Sequence, residues 1–112
     1  MGKYSIGEFE EVVLLTVAVL FENAYGVAIK EEIENRLKRK VSVGAMRTAL
    51  NRLEKKGFLE SEFGEATAIR GGKRKRFFKV TQYGKRELEQ VMETRKQLWD
   101  SIPSIAFDFK FA

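Results

Sequence analysis

The chain has 112 residues, with 21 Lys+Arg against 16 Asp+Glu for a formal charge of +5, a single Pro, and neither Cys nor His. That length fits one domain with a modest core, to which a second copy can add burial. Without thiol or imidazole there are no disulfides, thiolate nucleophiles, imidazole bases or ordinary zinc sites, so no enzyme, metal centre or cofactor is expected, while the basic balance favours a polyanionic partner.

Ser5-Ile6-Gly7-Glu8 has the spacing of a capping box and predicts a first helix from about Ile6 to Phe21. Its second half, Val12 to Phe21, is apolar almost all round and interrupted only by Thr16, which suits a central core helix. The run is far shorter than the roughly 20 residues that cross a bilayer, so no membrane partner is expected. No basic leader with a cleavage site opens the chain, and a cytoplasmic location is the expectation.

Asn23-Ala24-Tyr25-Gly26 breaks the pattern. Val27, Ile29, Ile33 and Leu37 then recur at helical spacing, and a second helix is predicted to end near the basic Leu37-Lys38-Arg39-Lys40. Ser42 caps a third helix whose stripe is Val43, Met46, Ala49, Leu50 and Leu53, and Gly57 stops it. Beyond Gly57 the period falls toward two. Phe58, Leu59 and Phe63 mark one strand and Phe77, Phe78 and Val80 another, with Ala66 to Lys73 as the crossing. Thr81 caps a last helix carrying Leu88, Val91, Met92, Arg95, Leu98, Trp99 and Ile102, which ends before Pro103.

The expected fold is therefore mainly α with a small two-stranded β-hairpin. Residues 1–80 read as a winged helix-turn-helix and 81–103 as a C-terminal dimerisation helix. The tail 104–112, with Phe107, Phe109 and Phe111 alternating, has no assigned role.

Away from its apolar stripe the third helix presents Gly44, Ala45, Arg47, Thr48, Asn51, Arg52 and Lys55. Small residues at its start permit close approach to a duplex, the arginines suit phosphate or guanine, and asparagine suits an adenine edge. The bland reading of this face is a solvated helix surface. Between Arg70 and Lys79 lie six basic residues and no acid, with Gly71-Gly72 giving turn freedom. Strand alternation is expected to send some of Phe77, Phe78 and Val80 inward and Lys73, Arg74, Arg76 and Lys79 toward a partner. Double-stranded DNA is the expected partner, because phosphate-facing cations gain by counterion release. A basic loop kept for solubility, or a module that binds protein or structured RNA, is the alternative.

The stripe on the last helix exceeds what one small domain consumes, and a homodimer is its economical use; packing back on the first helix is the competing reading. A lone tryptophan on such a stripe, Trp99, reads by itself as interface packing.

Three blocks carry a family resemblance: Tyr25-Gly26-Val27-Ala28-Ile29, the run from Val43 to Leu59, and Lys79 to Lys85 with Leu88. They resemble the PadR-like transcriptional regulators over about residues 5 to 100, in the compact form with a single C-terminal helix. The resemblance implies a winged helix, with the third helix in the major groove, the wing on backbone or minor groove, and a homodimer through the last helix. It implies phosphate contact near Tyr25 and a recognition face of Arg47, Thr48, Asn51 and Arg52; Ser42 and Gly44, at the start of the same helix, are counted with the DNA-binding residues. The function implied is a dimeric sequence-specific regulator, expected to be a repressor, and the resemblance also implies a small hydrophobic or aromatic effector at the dimer interface, for which Trp99 with Phe9 or Phe21 is the candidate. The chain departs from the family pattern at Arg47-Thr48, where Tyr-Pro is usual; arginine there offers phosphate a charge in place of a hydroxyl.

Overall fold

The computed structural model describes residues 6–64, 74–108, 110 and 111. Ser5, the crossing Ala66 to Lys73, and Phe109 lie outside the described residues. Helix α1 runs over Glu8–Leu20, two residues later than the capping-box spacing predicts. Its N-cap is Gly7, which has no side chain to offer, and Glu8, Glu10 and Glu11 instead place negative charge in the first turn. Val13, Leu14 and Val17 are buried to within 1 %. The helix gives way to a single 3-10 turn, Phe21–Asn23, through Phe21 at φ 54.

Helix α2 covers Gly26–Leu37 and buries Ile29 and Ile33 against α1. Lys38 ends it in the left-handed region. The turn to α3 is fastened by Glu34, whose carboxylate accepts the Val41 N–H at 2.8 Å and the Lys30 ammonium at 3.0 Å. Helix α3 spans Val43–Lys55, and the Ser42 hydroxyl accepts the Ala45 N–H at 3.0 Å as its cap. Met46, Ala49, Leu50 and Leu53 are buried, but Val43 is exposed, contrary to the predicted stripe. Standing at the first helical position, it lies past the edge of the core, on the rim of a cleft. After α3 the chain reverses at Gly57, φ 87, a conformation that a side chain would strain.

Strands β1, Leu59–Phe63, and β2, Arg76–Val80, pair antiparallel from Leu59 opposite Val80 to Phe63 opposite Arg76. Phe78 is the buried anchor. The hairpin is joined to the start of α2 by a one-residue bridge between Tyr25 and Phe77, and by the Phe78 N–H donating to the Ala24 carbonyl at 2.8 Å. The Gly64 N–H donates to the Lys75 carbonyl and continues the ladder one step past β1.

Helix α4, Gln82–Ser101, begins at Thr81, which accepts the Gly84 N–H and donates its own hydroxyl to the Gly57 carbonyl at 2.6 Å. Gly84 is needed for contact, since a Cβ there would collide with the Phe58 carbonyl oxygen. Leu88 completes the core. Ile102 lies just beyond the helix as its C-cap. Past Val91 the helix is exposed, with Arg95 reaching back to Glu11 of α1, and the molecule measures 68 × 31 × 21 Å with a radius of gyration of 17.6 Å. A compact domain of this length would have about 13 Å. Among the described residues no helix is long and apolar enough to cross a membrane.

Candidate nucleic-acid interface

The exposed face of α3 presents Gly44, Ala45, Arg47, Thr48, Asn51, Arg52 and Lys55, as the periodicity predicts. The fold divides this face. Arg47 and Asn51 turn toward a cleft of about 400 Å³ between α3, the start of α2 and strand β2, with Met46, Leu50 and Phe78 beneath. Arg52, about 140° around the helix from Arg47, turns the other way, its guanidinium 3.8 Å from the Glu10 carboxylate of α1. Lys56 donates to the same carboxylate at 2.7 Å.

Across the cleft, Tyr25 meets Phe77 edge-on at 5.6 Å between ring centroids, and the Lys75 ammonium sits 4.1 Å from the Tyr25 centroid. Lys75, which the sequence reading passed over as a candidate, is thus held over the cleft by a cation–π contact. Arg76, expected to point outward, does not serve as a free cation. Period-two alternation puts it on the same face as Phe78 and Val80. There it pairs with Glu54 of α3, donates to the Ser61 hydroxyl at 3.0 Å and lies over the Phe78 ring. Ser61 in turn donates to Glu54 at 2.7 Å. The arginine braces the hairpin against α3. Arg74 is exposed at the described edge of the tip, and Lys73 lies outside the described residues.

A helix-turn-helix followed by a two-stranded hairpin is the winged-helix fold that the family resemblance implies. The model of the transcriptional regulator PadR-like family matches residues 14–90. The chain belongs to the PadR-like family. A PadR family regulator from Eggerthella lenta is 26 % identical, covering 83 % of this chain and 80 % of its own with a TM-score of 0.64. A PadR-like transcription factor from Bacteroides fragilis, 24 % identical, covers 88 % and 89 % with a TM-score of 0.70. RosR of H. salinarum, 19 % identical, shares the fold over 91 % of this chain and 84 % of its own at a TM-score of 0.71. No curated protein matches significantly.

In this PadR-like chain the last helix divides in two. Leu88, expected at a dimer interface, is 8 % exposed and belongs to the chain's own core, because α4 still lies on the body at that turn. Val91 is half-buried, and Arg95 reaches back to Glu11 of α1 at 3.0 Å. Met92 is exposed; Leu98 and Trp99 are more so, at 67 % and 70 %. Phe9 packs against the core, whereas Phe21, at the start of the 3-10 turn, is exposed. Among the described residues, groups of His, Cys, Asp or Glu that could hold a metal ion are absent.

Proposed function

We propose that this PadR-like chain is a homodimeric, sequence-specific repressor that acts on duplex DNA in the cytoplasm. Residues 1–80 form the DNA-binding unit and 81–103 the dimerisation helix. Helix α3 enters the major groove, where Arg47 and Asn51 address base edges and Ser42, Gly44, Thr48 and Lys55 lie against the backbone. Tyr25, Lys73, Arg74 and Lys75 supply phosphate contacts. The reading is carried by one observation: Arg47 and Asn51 of α3 share a single cleft with Tyr25 and Lys75.

Selection of bound fragments from random duplex DNA tests it. The expected result is a two-fold symmetric consensus with half-sites roughly 34–36 Å apart. Failure to enrich any sequence, with binding to structured RNA or protein instead, would sink the DNA reading.

The finer part of the proposal is relief by a planar hydrophobic effector held between copies at Trp99, a reading supported by that ring's exposure. Trp99 is the chain's one tryptophan, so its fluorescence reports the site directly. Titration with planar aromatic compounds is expected to quench it and to release DNA. Quenching without release would remove the regulatory role.

A further inference from the structure

We infer that Glu10 is a positioning residue for DNA discrimination, which withholds Arg52 from the duplex and leaves base reading to the cleft side of α3. The inference rests on the DNA-binding reading above. Glu10 lies in the first turn of α1, its side chain only 12 % exposed, and faces two cations one helical turn apart on the flank of α3. Lys56 takes the short hydrogen bond at 2.7 Å. Arg52, with its side chain 66 % exposed, stays within 3.8 Å of the same carboxylate.

Exposed ion pairs of this kind stabilise little, but their effect on a third charge is direct. A phosphate approaching Arg52 meets a guanidinium whose field is partly cancelled by a fixed carboxylate. Glu10 cannot follow the arginine outward, because it is held by Lys56 and because the next residue, Glu11, is tied to Arg95 of α4 at 3.0 Å. Freed from Glu10, Arg52 would be a long, mobile cation beside the exposed Thr48 and Lys55, suited to any phosphate and to no particular base. Such a contact raises binding to every sequence, and discrimination is the ratio of specific to non-specific affinity. Holding Arg52 back therefore sharpens that ratio without adding a contact to the operator.

The test uses the full chain with a random duplex and the selected duplex, measuring affinity by fluorescence anisotropy across a salt series. Glu10→Gln is expected to steepen the slope of log affinity against log salt on random DNA by about 0.9 per protomer. It should raise random-duplex affinity several-fold at low salt and narrow the ratio between the two duplexes. Arg52→Ala alone should leave the slope unchanged, and adding it to Glu10→Gln should restore the parent slope. Truncating an exposed arginine does not depend on how the fold tolerates Glu10→Gln, so Arg52→Ala decides by itself if the other variant is unstable. Should Arg52→Ala shallow the slope in the parent background, Arg52 is a standing phosphate contact and the inference is overturned while DNA binding stands. If Glu10→Gln weakens both duplexes alike and lowers the melting temperature, the residue is only a brace and the inference is again overturned. A parent chain that binds neither duplex removes the DNA reading and this inference together.

Discussion

Glu34 accepts the Val41 N–H and the Lys30 ammonium, and the first of these, with the second assisting, holds its carboxyl below the ordinary value of 4.5. A carboxylate whose pKa falls on folding stabilises the native state in full above its unfolded value, and that contribution disappears as pH drops through the folded value. The melting temperature of Glu34→Gln should therefore lie below that of the parent by a constant amount near neutral pH, and the gap should close below about pH 4.5. Arg76 and its neighbour Lys75 make a second test at this scale. Lys75→Ala is expected to shallow the salt slope for DNA by about 0.9 per protomer with no loss of stability, whereas Arg76→Ala should cost about 1 kcal/mol in urea unfolding and leave the slope alone. In the sequence these two are adjacent members of one basic run. Parity separates them, because Arg76 shares a face with Phe78, but its carboxylate partner comes from Glu54, 22 residues earlier, and only the folded chain brings that partner into reach.

Elements whose caps carry side chains or special dihedrals were readable. Ser42, Thr81 and Gly57 mark the starts of α3 and α4 and the end of α3 through groups that any reader of the chain can see. The start of α1 was not, since Gly7 caps it with no side chain. The bridge between Tyr25 and Phe77 was equally invisible, because a single paired residue has no period. It nonetheless puts the hairpin and the cleft in register, which is why Phe78 matters twice. Phe78→Ala should cost roughly 3–5 kcal/mol and should also weaken binding to every duplex, read by urea unfolding and anisotropy on the same preparation. Gly84→Ala should cost about 3 kcal/mol by forcing α4 away from the Phe58 carbonyl, a loss large enough to see as a shifted urea midpoint.

At the scale of the molecule, the radius of gyration exceeds that of a compact domain, and among the described residues those from Met92 to Ser101 of α4 are all exposed. The heptad-like stripe was legible as an apolar face, but its division into a buried Leu88 and an exposed Leu98 and Trp99 was not. Leu88 looks like Leu98 in sequence, and which of them the monomer consumes depends on where the helix leaves the body. Leu98→Glu with Trp99→Glu should accordingly give folded monomers by sedimentation and circular dichroism, while Leu88→Glu should unfold the chain. The junction at the foot of α4 has a further mechanical meaning. Thr81 and Gly84 fasten the first turn of that helix to Gly57 and Phe58, in the turn that follows α3. Helices α3 and α4 are thereby fastened to each other through that turn. Control of such a molecule would require no melting and no repacking inside a protomer. In the proposed dimer, a small rotation between two copies would carry their α3 helices out of phase with a duplex whose repeat is fixed at roughly 34 Å.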